Sequence, residues 1–277
     1  MIKKMILLAV TWVIIARSGA QDQTNDLPHL KGKRVLVYTR NGKGYVHENI
    51  PYSVAAIQKL GQERSFRVDT SSNPAIFRDE NLKQYDAVIF ANTNNEVFDT
   101  EAQKLAWMHY IEAGGGFVGI HSASGTERNW TWFKRLLGAT FLRHPPFQPF
   151  RVQVIDKGHP AVKGLPVSWE TRDECYYFKE INPAIHILTV ADISGIQENA
   201  DSKETRPISF GNVFPSSWCH EFDGGKAWYT ALGHDKNDYS NPGYLAHILG
   251  GLDWVLDKKP LDYSKAYATS LEIEGLW

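Results

Sequence analysis

Hydrophobic and polar positions divide the first 120 residues into short apolar runs separated by amphipathic stretches. The apolar runs, rich in β-branched and aromatic residues, predict strands at 34–39, 66–70, 86–90 and 117–120. Between them, Pro51 opens a predicted helix that Gly61 stops, and Thr100 is the N-cap candidate of a second helix that ends near Glu112. Strands that alternate with helices pair in parallel, and their ligands collect beyond the carboxyl ends of the strands.

The pattern becomes richer in strands after about residue 145. Apolar runs predict further strands at 150–155, 185–191, 207–210 and 226–232. A last amphipathic stretch predicts a closing helix at 242–256, with one apolar face. The sequence therefore predicts an α/β fold around a mostly parallel sheet.

The first 20 residues differ in composition from the rest of the chain. Lys3 and Lys4 precede an apolar run at 5–15, and small residues follow at 18–20. This run is shorter than the roughly 20 residues of a membrane-spanning helix, so we expect a signal peptide at 1–20 and a periplasmic or secreted protein. An uncleaved membrane anchor is the alternative. Stable membrane insertion after cleavage is not expected, because no later segment is long and apolar enough.

The remaining chain lacks any stretch typical of an interdomain linker. We therefore expect an N-terminal extension at 21–32, one domain at 33–258 and a C-terminal tail at 259–277. The formal net charge is −1 and both signs are interspersed, which argues against a nucleic-acid partner. Only two cysteines are present, Cys175 and Cys219, and the sequence leaves open whether they form a disulfide.

A possible catalytic turn lies at "GGGFVGIHSASG", residues 114–125. A buried strand runs here directly into small residues, as at the elbows on which α/β enzymes display a nucleophile. His121 stands at the tip where such enzymes carry Ser or Cys. Ser122 is a competing nucleophile, although its neighbours do not form the G-x-S-x-G pattern.

Four motifs in order, "GGGFVGIHSA", "HPAVKGLP", "DECYYF" and "KAWYTALGH", resemble those of the ThuA-like (trehalose utilisation) family. The resemblance implies a flavodoxin-like three-layer sandwich similar to that of class I glutamine amidotransferases. It puts His121 where those enzymes carry the elbow cysteine, and His234 where they carry the triad histidine. Glutamine hydrolysis by a thiolate is therefore not expected, but both imidazoles should share one pocket.

Such a pair can exchange protons near neutral pH or, with a further ligand, hold a divalent metal such as zinc. No nucleotide cofactor is expected. Asp173 and Glu174 are catalytic candidates, and only one of these neighbours should reach the pocket from a strand. The remaining candidates are substrate-binding residues on loops or at motifs, namely His47, Asn92, Ser122, His144 and Trp218.

The resemblance implies carbohydrate metabolism and a functional link to sugar oxidoreductases that make 3-keto sugars. A C3 ketone acidifies the C2 proton, so a histidine pair would suit lyase, hydrolase or isomerase chemistry on a keto-sugar or 3-keto-glycoside. Two alternatives remain open. The protein could be a non-catalytic carbohydrate-binding module that has lost its nucleophile, or a hydrolase that uses Ser122.

Overall fold

The computed structural model describes residues 27–199 and 210–271. In these two ranges the chain forms eleven strands and five α-helices. The strands are β1 (Arg34–Tyr38), β2 (Arg67–Ser71), β3 (Ala87–Ala91), β4 (Gly116–Ile120), β5 (Thr140–Arg143), β6 (Gln148–Val154), β7 (Ser168–Asp173), β8 (Tyr177–Lys179), β9 (His186–Asp192), β10 (Val213–Phe222) and β11 (Gly225–Thr230). The helices are α1 (Ile50–Arg64), α2 (Asp79–Leu82), α3 (Glu101–Glu112), α4 (Thr131–Leu137) and α5 (Pro242–Leu256).

Five strands form a parallel half-sheet in the order β2-β1-β3-β4-β11. The central strands β3 and β4 are buried at every position, as their apolar sequences predict for strands covered on both faces. Val118 of β4 pairs with Ile89 on one side and Trp228 on the other. The predicted α/β fold with a mostly parallel sheet is thereby confirmed.

The same sheet continues with four antiparallel strands, β10-β9-β6-β7. Each strand from β10 to β7 runs opposite to the one before it, so the direction reverses four times between β11 and β7. The strand β7 therefore ends at the same side of the sheet as β11. Four strand spacings in a flat sheet would separate β7 from β11 by about 19 Å. However, Asp173 at the end of β7 accepts a 2.8 Å hydrogen bond from the amide of Gly233, just after β11. The antiparallel half must therefore curl over the carboxyl ends of the parallel strands.

Of the three helices with predicted bounds, α3 and α5 agree with the sequence expectations and α1 does not. Thr100 caps α3 by accepting a hydrogen bond from the Gln103 amide, and α5 has the predicted bounds. Helix α1, in contrast, continues past Gly61 and ends at Arg64, where Ser65 adopts the left-handed conformation. A Cβ at Gly61 would lie 2.7 Å from the Val68 side chain. This glycine allows α1 to pack closely on β2, and does not end the helix.

Two further differences concern the region after the elbow and the segment that leads into β10. The strand β4 leads into a 3₁₀ turn, His121–Gly125, and helix α4 begins only at Thr131. The predicted strand at 207–210 lies almost entirely outside the described residues. The long strand β10, which the sequence analysis missed, follows it at Val213–Phe222.

The segments that flank the domain pack on it where they are described. In the predicted extension, Leu30 is buried and the His29 amide donates to Asp253. In the predicted tail, the Tyr267 and Ala268 amides donate to Glu112. The predicted signal peptide at 1–20 lies outside the described residues. Among the helices that are described, none has the length and apolar character needed to cross a membrane.

Candidate functional site

Three histidines converge beyond the carboxyl ends of parallel strands. His47 follows β1, His121 follows β4 and His234 follows β11. The His47 and His121 ring centroids are 4.9 Å apart, His47 and His234 are 5.4 Å apart, and His121 and His234 are 5.3 Å apart. The expectation that His121 and His234 meet, which came from family resemblance, agrees with this geometry.

The elbow sets the direction of the His121 side chain, and a backbone carbonyl after β11 sets its tautomer. Its backbone adopts the left-handed conformation, with φ of 50°, and the residue is fully buried. Nδ1 lies 2.7 Å from the Ala231 carbonyl oxygen, which can only accept, so Nδ1 carries the proton. Nε2 is therefore a lone-pair atom, and it faces the cluster.

Glu174 connects the imidazoles. Its Oε2 lies 3.2 Å from Nδ1 of His234 and 3.5 Å from Nε2 of His121, while Oε1 lies 3.4 Å from Nε2 of His144. Burial alone would raise the pKa of Glu174, but its hydrogen bond with His234 and the positive charge that His121 and His234 carry when protonated outweigh burial and lower it. Glu174 is accordingly a carboxylate, and it accepts a hydrogen bond from Nδ1 of His234.

The histidines of the cluster differ in basicity. Burial, reinforced by the neighbouring imidazoles, lowers the pKa of His47 to about 3. Burial also lowers the pKa of His121, although Glu174 opposes it. Burial would lower the pKa of His234 too, but Glu174 and Asp173 outweigh it and the pKa of His234 is raised. Near neutral pH, His47 and His121 are neutral, and His234 is the most basic of the three.

Asp173 and Glu174 point in different directions, as the alternation along a strand predicts. Asp173 is fully buried and accepts hydrogen bonds from the backbone amides of Gly233, His234 and Glu174. Burial and the nearby Asp238 raise the pKa of Asp173 to about 8, against the effect of these donors. Its carboxyl group thus joins the turn that carries His234 to the strand end that carries Glu174.

Tyr176 also belongs to the site, and the sequence analysis missed it. Its hydroxyl lies 2.8 Å from Nε2 of His121, and the two rings are 4.3 Å apart. Burial raises the pKa of Tyr176 well above its usual value, so the hydroxyl remains protonated and donates. Glu174 and Tyr176 both approach His121 and are two positions apart between β7 and β8; this i, i+2 spacing is typical of one strand face and was a signal that the sequence offered.

A network of buried side-chain amides packs behind the histidine cluster. Asn49, another residue that sequence reasoning missed, donates from Nδ2 to Asn92 Oδ1 and to the carbonyls of Gly233 and His234. The predicted Asn92 adopts the left-handed conformation and donates to the Tyr239 hydroxyl at 2.9 Å. Asn92 therefore lies in the layer behind the histidines and helps to position them.

The other predicted residues lie in different environments. His144 reaches Glu174 and stacks on Tyr176, with a ring separation of 5.7 Å. Ser122 is buried, and its hydroxyl has no hydrogen-bond partner among the described residues, so no base contacts it. Cys175 and Cys219 are both buried and are not joined by a disulfide.

Trp218, predicted to stack on a sugar ring, lies in the core of the protein. It is 1 % exposed, and its indole donates a 2.7 Å hydrogen bond to the Leu137 carbonyl. Phe178 and Tyr229 pack against its ring at 5.1 and 4.4 Å. No face of this tryptophan is open to a ligand, because β10 lies inside the sheet and its side chains are covered on both sides.

Four residues of the cluster could hold a metal ion. His47, His121, Glu174 and His234 each offer one ligand atom, and these atoms lie within 4.8 Å of one another. Nδ1 of His47 is buried without a hydrogen-bond partner among the described residues, and Nε2 of His121 is oriented by the Ala231 carbonyl. Neutral imidazoles, one of them oriented by a backbone carbonyl, together with a carboxylate are a typical ligand set for a transition metal.

A profile of the ThuA family, described as trehalose utilisation, matches residues 34–255. The chain belongs to the ThuA family. No curated protein matches it in sequence. This membership confirms the resemblance carried by the four motifs, and it supports a role related to carbohydrate metabolism.

Solved structures of similar fold include ThuA-like proteins. One from Bacteroides uniformis is 23 % identical, with a TM-score of 0.65 over 82 % of this chain and 92 % of that one. One from Parabacteroides merdae is 19 % identical, with a TM-score of 0.63 over 82 % and 91 % of the two chains. A cytoplasmic protein from Salmonella typhimurium is 15 % identical, with a TM-score of 0.51 over 80 % and 96 %. At these identities the likeness establishes the fold alone.

Proposed function

We propose that this ThuA-family protein acts on keto-sugars or 3-keto-glycosides by histidine-assisted removal of the proton next to the ketone. The observation that carries this proposal is the convergence of three imidazoles, a carboxylate and a phenol: His47, His121, His234, Glu174 and Tyr176. A C3 ketone acidifies the C2 proton, and its removal leaves negative charge on the ketone oxygen. The reaction therefore requires a base and, on the other side, a group that stabilises an oxyanion.

His234 is the proposed base. It is the most exposed of the three imidazoles that converge, with a side chain 24 % accessible, and substrate can reach it. When Nδ1–H donates to Glu174, Nε2 is left with the lone pair that takes the C2 proton. The carboxylate also stabilises the imidazolium that forms, which is consistent with the raised pKa of His234.

Tyr176 is the proposed donor to the ketone oxygen. Its phenol remains protonated near neutral pH and, without substrate, donates its one proton to Nε2 of His121. In the proposed complex this O–H turns to the ketone oxygen. A fixed neutral donor in a buried site stabilises a developing enolate more strongly than water does. His144, stacked on Tyr176, helps to hold the phenol in place.

A divalent ion such as zinc is compatible with this arrangement. His47, His121 and Glu174 would hold it, which leaves His234 available for the proton. When bound, such an ion supplies a Lewis acid that polarises the ketone. The proton acceptor and the phenol keep the roles described above with or without the ion.

Two products follow from the same enolate. If the C1 substituent leaves with the electrons of the C1–O bond, His234 returns its proton to the departing oxygen and the result is lyase-type cleavage. If C2 instead takes a proton from solvent on the opposite face, while His234 gives its proton up to solvent, the result is isomerisation at C2. Both outcomes balance without an oxidant or a reductant.

The decisive experiment is to incubate the purified protein with a 3-keto-glucoside in D₂O, with and without zinc, and to follow C2–H exchange and aglycone release by NMR. Exchange or cleavage that disappears in His121→Ala and persists in the exposed-histidine control His186→Ala supports the proposal. An unchanged substrate with every preparation contradicts it. If the parent then binds the sugar without turnover and this binding is weakened in His234→Ala, the cluster is the site of a non-catalytic binding module.

We also propose that the protein is exported and works with a sugar oxidoreductase that supplies the ketone. The basis is the composition of residues 1–20 and the need for an oxidised substrate. N-terminal sequencing of the protein from intact cells tests export, and a mature chain that still begins at Met1 would contradict it. The link with an oxidoreductase is tested by adding a sugar 3-dehydrogenase and an unoxidised glucoside. Product should form only when both proteins are present.

A further inference from the structure

A cavity separate from the histidine cluster lies between the edge strand β7 and the first turn of α5. Its volume is about 380 Å³, within the range of about 300–1,000 Å³ that is usual for small-molecule sites. Trp169 and Leu165 line it on the β7 side, Tyr244 on the α5 side, and Leu232 between them. The cavity therefore has an aromatic and aliphatic lining.

The alternation of β7 explains why Trp169 reaches this cavity. Trp169, Thr171 and Asp173 share one face of the strand, and the intervening Glu170 and Arg172 are exposed, although Glu170 also contributes to the cavity lining. Thr171 also lines the cavity, whereas Asp173 turns to the backbone after β11. The Trp169 ring is partly exposed, unlike the buried Trp218, and can contact the C–H face of a ligand.

Two polar groups in the cavity have hydrogen-bonding capacity that the protein does not use. Oδ2 of Asp238 is buried, and no described residue donates to it. Asn241 uses Oδ1 to cap α5, while its Nδ2 donates no hydrogen bond to the described residues. An unsatisfied buried acceptor costs free energy, and a ligand that donates to it recovers that cost. A ligand hydroxyl can donate to Asp238, and a hydroxyl can also accept from Asn241.

We propose that this cavity binds a monosaccharide-sized polyhydroxylated ligand, with one hydroxyl donating to Asp238 and a C–H face against Trp169. The proposal does not depend on the proposed function of the histidine cluster. The segment from Leu232 to His234 lies between the two sites. The Tyr244 hydroxyl donates to the Leu232 carbonyl, two residues before His234, so Tyr244 supports the His234 turn on the side of this cavity.

The test is a titration of the full-length protein with methyl α-D-glucopyranoside, followed by saturation-transfer NMR and calorimetry. We expect saturable binding in the millimolar range, weakened about 10-fold or more in Trp169→Ala and in the near-isosteric Asp238→Asn. His121→Ala and the exposed-acid control Glu221→Gln should bind as the parent does. Thermal unfolding establishes that each variant is folded before its affinity is compared.

Three results would overturn the proposal. The first is the absence of saturable binding. The second is binding that disappears in His121→Ala but persists in Trp169→Ala and Asp238→Asn, which would assign it to the histidine cluster. The third is tighter binding of n-butylammonium than of the glucoside, lost in Asp238→Asn, which would make the cavity a cation site.

Discussion

The parallel and antiparallel halves of the sheet contribute different chemistry to one site. The parallel half supplies the three imidazoles, each on a loop directly after a strand. The antiparallel half supplies Glu174 and Tyr176, on the short connection between β7 and β8. Imidazoles alone would offer neutral ligands and weak bases. The carboxylate and the phenol give them different basicities and a fixed proton donor.

The halves also differ in how their geometry arises. The carboxyl ends of parallel strands all lie along one edge of the sheet. His47, His121 and His234 follow three of these strands and therefore lie at the same edge. Glu174 comes from a strand four positions away from β11 in the sheet order. It reaches the site only because the sheet curls, and Asp173 fixes the contact through the Gly233 and His234 amides.

The largest expected effect comes from the parallel half. His121→Ala should lower turnover of a 3-keto-glucoside by about 10²- to 10³-fold, because it removes the ring that orients the Tyr176 phenol and that would bind the metal. Bound zinc, measured by elemental analysis of chelator-free protein, should fall in parallel. His186→Ala, at an exposed histidine paired with Asp156, should change neither quantity. Equal losses in both variants would mean that His121 has no special role.

The next effect tests the phenol supplied by the antiparallel half. Tyr176→Phe should lower turnover about 100-fold, in line with the loss of one oxyanion donor. Bound zinc should be retained, because the metal candidates do not include Tyr176.

The adjacent Tyr177→Phe is the matched control, since its hydroxyl donates to Glu198 and does not contact His121. Turnover of Tyr177→Phe should remain within about twofold of the parent. If Tyr176→Phe keeps full turnover, the phenol has only a packing role.

A smaller and more specific effect tests the carboxylate. In Glu174→Gln the pKa of His234, measured by NMR titration of its ring protons, should fall, because burial then acts with less opposition. In the parent the folded-state pKa is raised, so protonation of His234 stabilises the fold below the unfolded value of about 6.5. That stabilisation is lost as pH rises through the folded-state pKa.

Urea unfolding should therefore show a smaller stability difference between pH 5.5 and pH 8.5 in Glu174→Gln than in the parent. Glu170→Gln is the control, because this exposed residue of β7 pairs with Arg151, outside the cluster. An unchanged His234 titration in Glu174→Gln would mean that the 3.2 Å contact does not set its basicity.

The smallest effect on turnover is expected in the sheet interior. Trp218→Phe should cost about 1–3 kcal/mol of unfolding free energy, since it removes a buried hydrogen bond and leaves space around the ring. Turnover should remain within about twofold of the parent at temperatures where the variant is folded. A large loss of activity without a loss of stability would return Trp218 to the list of ligand-binding residues.

Local sequence signals identified the parallel half and its histidines. The apolar runs of β3 and β4, the Thr100 cap and the bounds of α5 all follow from periodicity and capping, which depend on near neighbours in the chain. The motifs put His121 and His234 together because the family resemblance carried the order of the strands with it.

The sequence alone did not determine which partners these residues would meet. The contacts of Tyr176, those of Asn49 and the curl that brings Asp173 to the His234 turn join residues 55 to 185 positions apart. Trp218 was misjudged for the same reason, since burial depends on what covers a strand and not on the strand itself. The sequence by itself determined the alternation of strands and helices and the histidine positions, because these follow from local periodicity and motif order. Only the tertiary structure decided which imidazole is basic, because basicity depends on the charges and the burial that surround each ring.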